Sequence, residues 1–331
     1  MPSTNLHDSV VILGTGGTIA GAASDVHDNL GYTAAQRSVT ELLRAVPALA
    51  GAALETEQVA QLDSKDMDDA TWLRLAQRVA HHLARPGVAG LVITHGTDTL
   101  EETAWLLQRV LAPAKPVVLV AAMRPATALA ADGPQNLLDA VAVARTPGLR
   151  GVLAVLAGRV HAAGEVRKVH PYRADAFDSG EGGPLGVVEE GRLRRFRESP
   201  AGVPLGLALL EGAARPWPWV EIVTSHAGAR ADALRALVAA GVRGLVLAAT
   251  GNGAVHQDLL PALAEAEAAG VPVWRCTRCA SGVVLGAQAG PAAAMSPWQA
   301  RIELLLALLA VPQRPKGPVD AAGPKIAVHK P

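Results

Sequence analysis

Short apolar runs that end in Gly, Thr or Asn alternate along this chain with stretches whose apolar residues fall three or four positions apart. The runs occupy residues 10–13, 91–94, 117–121, 152–156, 220–224, 245–248 and 271–274. Such runs predict strands buried on both faces, and the intervening 3.6-residue spacing predicts the helices that bury them. Trp72, Ala76, Val79 and Leu83 share one face of a helix that follows the acidic residues Asp66, Asp68 and Asp69, where carboxylates suit the positive end of the helix dipole. Further helices are predicted over 101–111, ending before Pro113, over 136–144, opened by Pro134, and over 231–240, 257–269 and 297–309. The alternation predicts an α/β fold with a parallel-rich sheet.

The pattern pauses between residues 190 and 219, where Pro200, Pro204, Pro216 and Pro218 accompany the basic residues Arg192, Arg194, Arg195 and Arg197. This segment reads as a linker with a solvated basic face. The expected organisation is an N-terminal catalytic domain over 1–190, a linker over 191–217, a smaller doubly wound domain over 218–312 and a disordered tail over 313–331, where Pro and Gly mix with Lys. A length of 331 residues suits two domains.

Charge and cysteine content narrow the class. The 30 Lys and Arg balance 30 Asp and Glu, so the chain lacks the net field that gathers nucleic acid or anionic lipid. No apolar stretch approaches the roughly 20 residues of a membrane span. Cys276 and Cys279 form one C-x-x-C pair with no second pair, so neither a disulfide scaffold nor a metal site is expected. The opening MPSTNLHDSV lacks the basic flank and apolar core of an export signal. The expectation is a cytoplasmic protein.

Ligands of open parallel sheets bind beyond the carboxyl ends of strands, and two loops there carry chemistry. Gly14-Thr15-Gly16-Gly17-Thr18-Ile19-Ala20-Gly21 follows the first run, and His95-Gly96-Thr97-Asp98-Thr99 follows the run at 91–94. The first loop fails the G-x-G-x-x-G spacing because Ile19 stands where the third glycine belongs, and it lacks the lysine of a phosphate-cradling loop. What remains is a glycine turn presenting the hydroxyls of Thr15 and Thr18, with main-chain N–H groups available to a developing negative charge. Thr97 stands beside the ionisable Asp98, and a threonine becomes a nucleophile only with such help. Glu101 and Glu102 suit the start of the following helix and read as structural.

With these motifs, the chain resembles the bacterial-type L-asparaginases, the threonine amidohydrolases of the asparaginase and glutaminase family. The matching stretches are GTGGTIAG at 14–21, GYTAAQRSVTELLRAVPAL at 31–49, SKDMDDATWLRLA at 64–76, VITHGTDTLEETAWLL at 92–107 and AAMRPATALAADGPQNL at 121–137. The resemblance implies a two-domain α/β hydrolase, with no cofactor, that cuts a small-molecule side-chain amide to a carboxylate and ammonia through an acyl-enzyme. It implies Thr15 as the first-loop nucleophile, Tyr32 as its partner on a flap, and Thr97, Asp98 and Lys168 as a second catalytic group. Ser64 is expected to hold the substrate's α-carboxylate, with Lys65, Gly14, Gly96 and Asp98 lining the substrate. The family's assembly implies a homodimer or a tetramer of intimate dimers.

Three departures fall on the side of the substrate's α-ammonium. Lys65 replaces a glutamine, Ala254 in Gly251-Asn252-Gly253-Ala254 replaces an asparagine, and the segment after Gly286 lacks an acidic residue. A Lys65 ammonium about 4 Å from a substrate ammonium would repel it by roughly 4 kcal/mol at an effective dielectric of 20, which predicts weak asparagine binding or an amide lacking that group; Lys65 can also turn to Asp66 or Asp98. The alternatives are the ammonia-releasing subunit of an amidotransferase and a catalytically silent binding protein; the joint presence of Thr15, Tyr32, Thr97, Asp98 and Lys168 argues against the latter.

Overall fold

A computed structural model describes residues 8–311, apart from Val26 and Pro200. The disordered tail expected over 313–331 lies outside the described residues. The chain forms strands β1 (Ser9–Gly16), β2 (Leu54–Leu62), β3 (Val88–Thr94), β4 (Pro116–Val120), β5 (Gly151–Leu156), β6 (Arg159–Ala162), β7 (Arg167–Lys168), β8 (Phe177–Asp178), β9 (Gly186–Glu189) and β10 (Arg192–Arg195), followed by β11 (Val220–Thr224), β12 (Gly244–Ala249) and β13 (Val273–Thr277). The helices are α1 (Val39–Arg44), α2 (Asp69–Leu83), α3 (Leu100–Leu111), α4 (Gly133–Ala144), α5 (Ala208–Glu211), α6 (Asp232–Ala239), α7 (Leu260–Ala268) and α8 (Pro297–Ala310).

The large sheet has the order β10-β9-β6-β5-β4-β3-β1-β2. Its half from β2 to β5 is parallel, and β6, β9 and β10 extend it antiparallel. Val10 to Leu13, Leu91 to Ile93 and Val117 to Val120 are fully buried, as central strands covered on both faces must be. α2 starts where its sequence says it should: the Asp68 side chain accepts the N–H of Thr71 at the N-terminus, satisfying a donor the helix leaves free.

The alternation that revealed the central strands is absent at the edges. β2 reads LETEQVAQL and buries only Val59 outright, so its polar positions disguised it. The segment expected to be linker from residue 191 begins instead with β10, which pairs with β9 in a hairpin turning at Glu190 and Gly191. Both turn residues have positive φ, 48° and 69°, as a two-residue hairpin turn requires. Arg192, Arg194 and Arg195 thus line an edge strand, where Arg194 forks onto Glu189 at 2.8 and 2.7 Å, and Arg197 beyond it pairs with Glu165.

A second, three-stranded parallel sheet, β11-β12-β13, carries α6 and α7 on one face and α8 on the other. The two units share a core, because α8 packs Ile302, Leu305 and Leu306 into the apolar cluster that contains α3 residues Leu106, Leu107 and Val110. Arg109 of α3 grips Glu303 of α8 through a fork at 2.8 Å on both arms.

The strand order dictates where a ligand can bind. From β1 the chain moves to β2 on one side and then, through α2, to β3 on the other. That reversal opens a crevice at the carboxyl ends of β1 and β3, where both threonine loops emerge.

Candidate active site

The first loop is shaped by glycines that bring backbone against backbone. Gly16 has φ +107° and lies on the main chain of Leu62. Gly17 has φ +80°, and a Cβ added to it would stand 2.4 Å from both Cα and N of Gly96. The two threonine loops therefore abut at Gly17 and Gly96, a contact that neither position could make with a side chain. Gly96 is confined in turn, since its own Cβ would meet Ser64 Oγ at 2.4 Å.

The structure corrects the reading of the first loop. Thr15 was expected to pair with Tyr32, but β1 continues through Gly16, and Thr15 has the parity of the core residues Val11 and Leu13. Thr15 is 1% exposed, and its hydroxyl donates to Thr94 O at 2.8 Å across the β1–β3 seam. The hydroxyl that meets Tyr32 belongs to Thr18, at 2.7 Å. Thr18 begins a single 3-10 turn after Gly17, and the Tyr32 ring closes over Gly21, where any Cβ would stand 2.8 Å from it. Gly14 pairs inside β1 with Gln58 and Thr94, with the Gln58 amide filling the place of its missing side chain. It does not line the crevice.

The second loop gathers three expected residues. Lys168 Nζ donates to Thr97 Oγ1 at 2.8 Å and to Asp98 Oδ1 at 2.5 Å. The lysine side chain is 19% exposed, whereas Asp98 is half open to solvent. Ser64 Oγ accepts the Asp98 main-chain N–H at 3.2 Å, and Ser64 O accepts the Thr99 hydroxyl at 2.8 Å. Accepting that N–H leaves the Ser64 hydroxyl proton free to donate. Among the described residues, the main-chain N–H groups of Thr18 and Thr97 have no protein acceptor.

His95 is wholly buried at the head of the loop, its Nδ1 donating to Gly96 O at 2.7 Å. Burial pushes its pKa down to about 4, against the smaller upward pull of that carbonyl, so it is a neutral brace for the Gly96 peptide. Glu101, read from sequence as structural, is the residue whose placement the pattern least revealed. It is buried at the start of α3, lining the same cavity as Lys168. Burial raises its pKa to about 7, with Lys168 N–H and Arg167 pulling the other way and Glu102 adding to the rise. No spacing rule links residue 101 to residue 168, because the cavity they share forms only once their separate segments close on one another.

The departures take a different form from the expected repulsion. Lys65 is exposed and turns to Asp63 at 2.7 Å and Asp66 at 3.2 Å, so two carboxylates claim its ammonium. Asn252 donates to Leu285 O at 3.2 Å and accepts Leu285 N–H at 2.6 Å, which spends its amide within the second unit. Among the described residues there is no cluster of three metal-ligating side chains and no helix long and apolar enough to cross a membrane.

Comparisons with known proteins agree with this architecture. Residues 9–201 match the model for the asparaginase N-terminal domain, and residues 219–315 match that for the glutaminase/asparaginase C-terminal domain. The chain is 38% identical over 312 residues to the glutaminase-asparaginase of Pseudomonas fluorescens biotype A, covering 91% of this chain and 86% of that protein. It is 38% identical over 282 residues to a protein of Haemophilus influenzae named probable L-asparaginase periplasmic, covering 83% of this chain and 78% of that one. The crystal structure of a probable cytoplasmic L-asparaginase from Campylobacter jejuni superimposes with a TM-score of 0.85 at 35% identity, over 92% of this chain and 95% of that one. With both of its domains matched in order around abutting threonine loops, this chain belongs to the asparaginase family of amidohydrolases.

Proposed function

We propose that this protein hydrolyses the side-chain amide of asparagine to aspartate and ammonia through an acyl-enzyme on Thr18. The observation that carries the reading is the short Thr18–Tyr32 hydroxyl pair set beside the Thr97–Lys168–Asp98 group across the Gly17–Gly96 contact. Thr18 Oγ1 attacks the amide carbon and passes its proton to Tyr32 Oη as Tyr32 gives up its own hydroxyl proton towards the amide nitrogen. The tetrahedral oxyanion is held by the main-chain N–H groups of Thr18 and Thr97; a donor of this kind is worth roughly 3 kcal/mol of barrier. The amide nitrogen, having received the proton relayed from Thr18 through Tyr32, leaves as ammonia as the C–N bond breaks. Water, positioned by Thr97 and Lys168, then cleaves the ester and restores the Thr18 hydroxyl. Ser64 donates to the substrate's α-carboxylate, and the free Asp98 oxygen faces its α-ammonium.

The test is ammonia release by purified Thr18→Ala, Thr97→Val and Thr15→Val variants. Activity of the first two falls by about 1,000-fold or more, as for other nucleophile and partner deletions. Thr15→Val keeps kcat within about tenfold and loses about 1–3 kcal/mol of stability, the cost of an unpaired buried carbonyl. A folded Thr18→Ala protein with wild-type turnover overturns the reading.

A second reading, an amide without a free α-ammonium, is favoured by the Asn252 amide being spent on Leu285 while Lys168 occupies one Asp98 oxygen. Asparagine, glutamine, N-acetylasparagine and succinamate compared at steady state separate the two. The exposed apolar side chains of Val283, Leu285 and Trp298 support assembly into a homodimer or a tetramer of dimers. The two unpaired thiols suit a reducing, cytoplasmic setting.

A further inference from the structure

Lys168 sits on a slight support. β7 is two residues long, pairs only with the two-residue β8 and stands outside both larger sheets. The base of this hairpin is held, since Val166, Ala176 and Phe177 are buried in the core and Arg167 donates to Ala280 O at 2.5 Å. Residues 169–175 have no such packing, and all but His170 are exposed. Val169 and His170 donate to Ala176 O, Tyr172 and Arg173 donate to His170 Nδ1, and Arg173 pairs with Asp175. Among the described residues, a single hydrogen bond links the 169–176 loop to another part of the chain: Tyr172 O accepts Arg124 Nη1 at 2.7 Å. The Arg124 guanidinium also lies 4.1 Å from the centre of the Tyr172 ring, a second, electrostatic hold on the same residue.

Arg124 stands on a stiff loop, within the 121–137 stretch to which the proposed chemistry gives no role. The Asp132 carboxylate accepts the main-chain N–H groups of Met123 and Arg124 at 2.9 Å each, and Asn136 donates to both Asp132 and Ala121 O. The same loop holds the other side of the site. Ala126 N–H donates to Gly21 O, and Thr127 Oγ1 accepts the N–H of Ala23. Ala22, between them, pairs with Thr33, the neighbour of Tyr32. Residues 124–127 thus bind the Tyr32 flap on one side and the lysine hairpin on the other.

We propose that Arg124 is a positioning residue for Lys168. It fixes the outer end of the β7–β8 hairpin to the loop that also holds the flap, so that the amine meets Thr97 and Asp98 while Tyr32 meets Thr18. A catalytic group is useful only when the groups around it lock its place, and a displacement of about 1 Å lowers turnover about 100-fold.

The kinetic arm rests on the proposed amide hydrolysis, and the exchange arm does not. Wild type is compared with Arg124→Ala, Tyr172→Ala, Tyr172→Phe, the Arg124→Ala/Tyr172→Ala double variant and Arg194→Ala. The readouts are kcat and KM for asparagine and hydrogen–deuterium exchange of the peptide spanning 168–176. Arg124→Ala lowers kcat about tenfold or more while KM moves less than about threefold, and the loop amides exchange about tenfold faster. Tyr172→Phe keeps both the ring and the main-chain acceptor and matches wild type. Tyr172→Ala, at a side chain 43% exposed, gives the same split at about threefold and stands in for Arg124→Ala should that protein not fold. The double variant turns over no more slowly than Arg124→Ala, because the ring acts through the guanidinium. Arg194→Ala is the control: it removes a fork onto Glu189 and a guanidinium 4.9 Å from the Phe196 ring, both on the β9–β10 hairpin, and keeps kcat. Wild-type kcat or wild-type exchange in folded Arg124→Ala overturns the proposal, as do a loss carried by KM and additive losses in the double variant. Faster exchange in a protein that hydrolyses no amide preserves the strut and overturns the hydrolytic reading instead.

Discussion

Replacing Gly17 by alanine probes the contact on which the whole site depends. The added methyl would sit 2.4 Å from Gly96 Cα and N and 2.7 Å from His95 C, where carbon atoms come to rest at about 3.5–4.0 Å. The neighbour is main chain and cannot rotate away, so the two loops must part by about 1 Å. Gly17 also has φ 80° and ψ −174°, a region essentially reserved for glycine, in which alanine costs about 1–3 kcal/mol. A displacement of about 1 Å between reacting groups lowers turnover about 100-fold, equivalent to about 2.7 kcal/mol of barrier. Coupled detection of ammonia from asparagine, with thermal unfolding in parallel, reads both effects. Gly51→Ala is the control, because Gly51 has φ +78° but nothing within 4 Å of its virtual Cβ, so it bears strain without collision. The expected result is a folded Gly17→Ala protein with kcat down about 100-fold and Gly51→Ala with near-normal kcat. Wild-type kcat/KM in Gly17→Ala would refute the argument that the loops act together through this contact.

Two further outcomes follow from burial. His161 is buried in β6, its Nδ1 sharing a hydrogen with Ser179 Oγ at 2.7 Å, and burial, with Arg159 nearby, pushes its pKa down from 6.5 to about 4. It is neutral when folded, so its contribution is complete above pH 6.5 and is lost progressively as pH falls towards 4, on the order of 3 kcal/mol in all. Urea unfolding of His161→Gln declines less steeply over that window than wild type, and parallel curves would contradict the assignment. Comparing the two proteins cancels Glu101, whose raised pKa works in the opposite sense. Among the thiols, Cys276 is buried and pushed up to about 11 by that burial, while Cys279 is exposed. Iodoacetamide near neutral pH therefore alkylates Cys279 and spares Cys276; equal labelling of both would count against the packing around β13.

The chain's pattern alone determines the central strands, because Val10 to Leu13, Leu91 to Ile93 and Val117 to Val120 must be buried on both faces wherever they sit. It determines α2, α3 and α8 for the same reason, through their apolar stripes and their Asp, Glu and Ser starts. The two threonine loops, with the stretches at 31–49, 64–76 and 121–137, carry the resemblance that names the chemistry. Tertiary structure decides the rest. Edge strands β2 and β10 carry polar residues on an open face and so lose the signature that burial writes into a sequence. Thr15 and Thr18 are chemically alike in the string; what separates them is that β1 runs two residues past the glycine where its apolar run ends, turning Thr15 to Thr94 and leaving Thr18 for Tyr32. Lys65 likewise carries the same charge in either orientation, and only the carboxylates of Asp63 and Asp66 beside it decide which way the charge points. A sequence states which groups are present and how far apart along the chain, whereas proton transfer and electrostatics depend on distances of a few ångströms that are fixed only when separate segments close on one another.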